Sequence, residues 1–353
     1  MATIVMLGSG MMASALSVPL IENGHEVRLV GTFLDRDIID GINADRSHPR
    51  LDRPIPEEVG AYQLEVLEDV IADAEVVLSG VNSFGVRWAG DQLAPLLKPD
   101  QLVVAIAKGM EANDEGELRI LTEVLAERFP RELRESVPWS GIVGPSIAGE
   151  VAARRDTCVL FAGPDQGALD YMADLFRTER YHVWTSTDLI GAEVCAAMKN
   201  CYALGVGLAE GVRRALGEAE SPDRNHNYEA ALFAQGAVEI RRMVDLVGGD
   251  PATVDQGLPS VGDMFVTSTG GRNVRVGRLM GEGIPFTKAS EQLGNPTLEG
   301  AAAIKAIGGA LAPLTARGII QPGDFPLLRH LHEVVALERP LQMPWRAFFG
   351  GER

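Results

Sequence analysis

A short apolar run, Thr3-Ile4-Val5-Met6-Leu7, leads straight into Gly8-Ser9-Gly10-Met11-Met12-Ala13, and a helical pattern follows. This is a G-x-G-x-x-A turn in the setting of strand, turn and helix, and it restricts the fold more than any other feature of the chain. Gly8 permits the tight turn. Gly10 lets a pyrophosphate approach the backbone beside the positive helix N-terminus. Ala13 in the third position still allows close packing of helix on strand. A second strand pattern at Glu26–Val30 completes the context, so Gly8, Ser9, Gly10, Met11, Met12 and Ala13 form a candidate dinucleotide-binding turn.

The first half continues in the same manner. Strand patterns at Thr3–Gly8, Glu26–Val30, Glu75–Val81, Gln101–Ala107, Trp139–Val143, Thr157–Ala162 and Tyr181–Thr185 alternate with helical ones. That alternation predicts a parallel, doubly wound sheet. Runs such as Leu102-Val103-Val104-Ala105-Ile106 are apolar throughout, as strands buried on both faces are. After Leu189 the strand signals stop. The expected architecture is α/β: a Rossmann-type doubly wound domain over 1–188, then an all-helical domain over 189–353. Residues 217–226 are polar and Pro-broken and read as an exposed loop, and Gln256–Asn273 is rich in turn residues.

With 353 residues the chain has room for two cores. It carries 32 Lys+Arg against 49 Asp+Glu, a net charge of −17. That balance argues against a nucleic-acid partner. It also means that an anionic substrate needs a local cluster of positive groups. Cys158, Cys195 and Cys201 give neither a disulfide framework nor zinc spacing, which points to a reducing, cytoplasmic compartment. No signal peptide is indicated, and no uncharged apolar run of membrane-spanning length appears.

Lys199 is the only charged residue in the run Val194–Ala209, which reads as a buried helix. An ammonium there is costly unless paired or able to reach solvent, and burial suits a lysine to proton transfer. Ala107-Lys108-Gly109 and Gly144-Pro145-Ser146-Ile147-Ala148 each follow a strand end, where open α/β sheets bind ligands. Gly262-Asp263 through Thr267 and Gly271-Arg272-Asn273 gather a carboxylate, a hydroxyl, a guanidinium and an amide in one short loop. Each has an ordinary alternative: Lys108 as a solvated lysine, Ser146 as a helix cap, Asp263 as a turn residue, Arg272 in a surface ion pair. The second strand ends Val30-Gly31-Thr32 without the usual acid; Asp35 comes late and Arg36 follows. A missing acid with an arginine nearby leans the cofactor from NAD towards NADP, with Thr32 and Arg36 on the ribose side.

In these segments, their order and their spacing, the chain resembles the soluble NAD(P)-dependent glycerol-3-phosphate dehydrogenases, from the glycine turn to about residue 305. Ile190-Gly191-Ala192-Glu193-Val194 with Lys199-Asn200, and Thr297-Leu298-Glu299-Gly300, also match. The resemblance implies that Lys199 is the general acid/base, that Asp263 is the carboxylate beside it, and that Lys108 faces substrate and nicotinamide. It implies Gly144, Ser146, Asn200 and Thr267 as substrate contacts and Arg272 with Asn273 as the phosphate pair. Ala148, Arg272, Glu299 and His48 would adjoin the cofactor. It further implies NAD(P)H as cofactor and a three-carbon phosphate as substrate; the apolar helical second domain offers an interface for a homodimer. Departures occur at Ala13, at Val81-Asn82-Ser83 where the family often has proline, at the polar 217–226 loop, and at Ala234-Gln235-Gly236 where an arginine often precedes the glycine. Two other readings are a related dehydrogenase of a small hydroxy acid, ketopantoate or opine, and a catalytically silent nucleotide sensor.

Overall fold

The computed structural model describes residues 1–217 and 226–349, so the loop expected at 217–226 lies outside them except for its two ends. The chain forms two compact units. One is Met1–Lys108 with Leu121–Ala192; the other is Gly109–Ile120 with the described residues from Glu193 onward.

Ten strands occur among the described residues: β1 (Thr3–Leu7), β2 (Glu26–Val30), β3 (Gly60–Tyr62), β4 (Val76–Ser79), β5 (Leu102–Ala105), β6 (Met110–Ala112), β7 (Leu118–Ile120), β8 (Trp139–Val143), β9 (Thr157–Ala162) and β10 (Tyr181–Ser186). Eight of them make the sheet of the first unit, in the order β10-β9-β8-β5-β4-β1-β2-β3. The stretch from β3 to β8 is parallel throughout. Then β9 runs antiparallel to β8 and β10 parallel to β9, so the sheet is mixed at that edge and not parallel throughout as expected. Both faces are covered, which explains the unbroken apolar strands. Ile4 and Met6 of β1 enter one core with Leu16, Ile39 and Phe161. Val5 and Leu7 enter the other with Val70, Leu93 and Val124. The chain leaves β1 for β2 on one side and returns to β4 on the other, so the crevice at the end of β1 is the switch point where such sheets bind ligands.

The second unit is built on the helix Leu189–Ala215, joined by Asn227–Val247, Asp263–Ser268, Arg272–Gly281, Glu299–Ala316 and Pro326–Val335. By length and composition Leu189–Ala215 is the one described helix able to cross a membrane. Its most apolar stretch is 89% buried inside the protein, the pattern of a core helix. Glycines let its neighbours reach its backbone. A Cβ on Gly207 would collide with the Val274 carbonyl and one on Gly211 with the Arg278 carbonyl. In return, Gly277 and Gly281 would strike the carbonyls of Leu204 and Leu208. Farther along, the buried Glu239 carboxylate accepts from Tyr202 Oη (2.9 Å), Gln235 Nε2 (2.9 Å) and the Leu327 and Leu328 N–H groups (2.7 and 2.9 Å). It therefore satisfies the open start of Pro326–Val335 and ties it to the central helix. Gln235 belongs to one of the departures noted above, and here it has a defined partner.

The second unit is not all-helical. The antiparallel hairpin β6–β7, which the expected boundary assigned to the first domain, packs on Glu299–Ala316. Its paired Met110 and Ile120 are buried. Gly116, at φ +82°, lies where a Cβ would be 3.0 Å from the Ala310 carbonyl, and Arg317 Nη1 donates to Glu115 O at 2.9 Å.

Candidate active site

The glycine turn has the conformation that its sequence requires. Gly8 sits at φ +105° and donates to Val30 O at 2.7 Å; a Cβ there would be 3.0 Å from the Gly80 carbonyl carbon. Gly10 is the residue before the helix Met11–Glu22, and the nearest atom to a Cβ on it would be 3.9 Å away. The second glycine therefore leaves room in front of a helix N-terminus, the place for a pyrophosphate. Ala13 is fully buried against Gly80, where an added Cβ would come within 2.7 Å of the alanine Cβ. Gly80 was not singled out from sequence; the only signal was a glycine just past an apolar strand.

Ser9 is held from both sides. Its N–H donates to Asp35 Oδ2 (3.2 Å), while its carbonyl accepts from His48 Nε2 (3.0 Å) and Ser14 Oγ (3.1 Å). The buried Ser9 Oγ has no hydrogen-bond partner, an orphaned polar atom in the middle of the turn. Such an atom fits a site that awaits ligand or water. Asp35 also accepts from Thr32 N (3.0 Å) and Thr32 Oγ1 (2.8 Å). Thus Asp35, late in the sequence, reaches back to the turn. Arg36 is exposed and ion-paired with Glu65. Both grounds for leaning towards NADP are weakened, because the carboxylate is present and the guanidinium is engaged elsewhere.

Lys108, Gly144, Ser146 and Met12 come together in the first unit. Lys108 Nζ donates to Gly144 O at 3.4 Å, and Ser146 Oγ lies 3.7 Å from Met12 Sδ. With Ile106 and Tyr181 they line a cavity of about 20 Å³. Ser146 is not a helix cap, since Ile147 holds that position for Ala148–Ala152, and Ala148 itself is buried in the core. Tyr181, which sequence reading passed over, has a buried hydroxyl without a partner, and burial pushes its phenol well above the ordinary range.

In the second unit, Lys199 Nζ donates to Asp263 Oδ1 and, at 2.9 Å, to Thr267 Oγ1. Thr267 Oγ1 in turn donates to Asp263 O at 2.7 Å. Lys199 and Asp263 are both buried. The expected short loop is instead a π-helical turn, Leu258–Gly262, running into the helix Asp263–Ser268. The four-residue spacing puts Asp263 and Thr267 on one face of that helix. Arg272 and Asn273 open the next helix, so two side chains and a helix N-terminus gather in one place. Arg272 is exposed and has no ion pair among the described residues, against the surface-pair alternative. Asn273 Oδ1 is buried without a partner. It lies 2.7 Å from where a Cβ on Gly300 would be, and that Cβ would also collide with Asn200 O. Gly300 thus brings the start of Glu299–Ala316 against the residue after Lys199, with Glu299 at its first position.

Comparison with known proteins accords with this geometry. Residues 3–169 match the family described as NAD-dependent glycerol-3-phosphate dehydrogenase N-terminus, and residues 188–344 match its C-terminus. An NADP(+)-dependent glycerol-3-phosphate dehydrogenase of Archaeoglobus fulgidus is 37% identical over 81% of this chain and 82% of its own length. A glycerol-3-phosphate dehydrogenase [NAD(P)+] of Limosilactobacillus fermentum is 33% identical over 87% of each. The crystal structure of glycerol-3-phosphate dehydrogenase from Coxiella burnetii superposes with a TM-score of 0.80 at 28% identity, covering 98% of this chain and 97% of the other. The chain belongs to the NAD(P)-dependent glycerol-3-phosphate dehydrogenase family.

Proposed function

We propose that the protein interconverts dihydroxyacetone phosphate and sn-glycerol 3-phosphate with NAD(P)H as cofactor. The observation that carries this reading is the buried Lys199–Asp263–Thr267 cluster. Bound NAD(P)H supplies the hydride to C2 of the substrate. As the carbonyl oxygen gains negative charge it needs a proton, and Lys199 Nζ gives it, taking it back in the reverse direction. Asp263 and Thr267 aim the ammonium and keep it from turning away. Arg272 and Asn273, at the N-terminus of their helix, hold the phosphate through charge-assisted bonds. Such a local positive cluster is what a protein of net charge −17 needs for an anionic substrate. Gly8 to Ala13 would hold the pyrophosphate, and Lys108, Gly144 and Ser146 would flank the reacting end.

Neither alternative has a particular observation in its favour: the residues of a proton donor and a phosphate clamp are all present, which a silent sensor does not require. We also read the protein as cytoplasmic and homodimeric. The three free cysteines are consistent with a reducing compartment, and light scattering tests the dimer.

The test is absorbance at the NAD(P)H band with dihydroxyacetone phosphate, run with NADH and NADPH separately. Substrate-dependent oxidation is expected, and the two rates rank the cofactors. Lys199→Ala should abolish turnover while retaining cofactor binding. Turnover at the normal rate in that variant rules out Lys199 as the acid.

A further inference from the structure

We infer that His48 is a positioning residue of the cofactor turn, acting through the Ser9 carbonyl as a neutral imidazole and not by touching the cofactor. The geometry fixes its proton. Ser9 O can only accept, so Nε2 at 3.0 Å must donate. The Arg50 N–H can only donate, so Nδ1 at 3.1 Å must accept. Both ring nitrogens are committed, and this arrangement exists only in the Nε2–H tautomer. A second proton would have to enter at Nδ1, directly opposing the Arg50 N–H. His48 is 4% exposed, so little solvent is at hand to relieve that conflict. The charged groups that act on the ring are Arg50, which disfavours the imidazolium, and Asp35, which favours it. Burial is the larger influence and holds the ring below its ordinary value of 6.5.

Ser9 is thereby held by three side chains from beyond the turn: Asp35 accepts from its N–H, while His48 and the Ser14 hydroxyl donate to its carbonyl. If the carbonyl rotates, the adjoining Gly10 N–H rotates with it, because the peptide is planar. That N–H opens the face that the pyrophosphate needs. Protonation of His48 therefore weakens cofactor binding on the acid side.

The inference rests on the reading of the turn as a dinucleotide site, and the experiment separates the two. NADPH and NADH binding to the full chain is followed by nucleotide fluorescence from pH 8 downwards, for wild type, His48→Ala and His48→Gln. Absence of binding by folded wild type at pH 8 overturns the dinucleotide reading. Given wild-type binding, His48→Ala should raise Kd about fivefold to tenfold at pH 8, the loss of one buried hydrogen bond. His48→Gln keeps an amide donor that does not titrate, so it should recover most of that affinity and lose the acid limb. Unchanged Kd in His48→Ala, or an acid limb in NADH binding that persists in His48→Gln, overturns the inference; NADH is the probe for the pH limb because the 2′-phosphate of NADPH titrates in the same range. Thermal unfolding of each variant shows that the comparison is between folded proteins.

Discussion

Lys199 shows how one side chain can organise its surroundings. Taking an ammonium out of water costs several kcal/mol, and here the cost is offset by a carboxylate and a hydroxyl on consecutive turns of a facing helix. Removing Asp263 takes away the carboxylate that compensates the buried ammonium. Asp263→Ala should therefore lower unfolding free energy by about 3–5 kcal/mol in urea titrations and reduce turnover at least tenfold. If stability and turnover both match the wild type, the pair does not hold Lys199. The lysine itself was legible because it is the only charge in an apolar run. Asp263 and Thr267 were legible as residues but not as a helix face, since the preceding Gly257 and Gly262 read as turn signals. Sequence alone left open whether Asp35 swings back to the turn; its reach could not be decided there. It depends on Gly31, where a Cβ would come within 2.6 Å of Ile39, so only glycine lets the chain double back there.

Whole elements are positioned by backbone contact as much as by side chains. Gly207 and Gly211 on one helix, and Gly277 and Gly281 on the other, let Leu189–Ala215 and Arg272–Gly281 approach to carbonyl distance. This fixes Arg272 and Asn273 relative to Lys199, so the seam would place the proposed phosphate clamp. Gly277→Ala gains about 1 kcal/mol in helix propensity. The collision with the Leu204 carbonyl costs typically 1–3 kcal/mol and must push the helices apart. We expect net destabilisation in denaturant and a higher KM for the phosphate substrate. The exposed Gly323, with nothing near its Cβ position, should accept alanine without either effect. Equal behaviour of the two variants would mean that the seam does not position the clamp. Strand and helix alternation was readable because each parallel strand is buried on both faces. β3 escaped notice because Gly60-Ala61-Tyr62 is too short to show a period, and β6–β7 because three residues a strand are too few to reveal that Met110 and Ala112 share one face with Glu111 on the other. The antiparallel turn at β9 is a choice of direction, on which an apolar run is silent.

The molecule as a whole has an unusual balance of protons. Four of its six histidines, His25, His48, His330 and His332, are held below the ordinary value of 6.5, in each case chiefly by burial. His330 shows the cause plainly: it is buried against Phe348, and its Nε2 has no partner. In the unfolded chain these rings take up protons as pH falls through 6.5, while in the folded chain they resist. The unfolded state then binds more protons, so stability is full above 6.5 and declines as pH drops below it. Glu239 opposes this, since burial raises its carboxyl and acid relieves it, but its ordinary range lies below that of the histidines, so the upper part of the acid range belongs chiefly to the rings. Falling pH also relieves the mutual repulsion of a −17 chain, which would raise stability. Salt separates the two effects: at about 1 M the screening length is ~3 Å, so long-range repulsion is removed while buried groups are hardly screened. In high salt the midpoint of thermal unfolding should fall steadily from pH 7 to pH 5.5, ahead of the range in which ion-paired carboxylates titrate. His330→Leu removes one of the four buried rings and should flatten part of that slope. A midpoint that stays level or rises on acidification in high salt would show that the buried histidines do not govern acid stability.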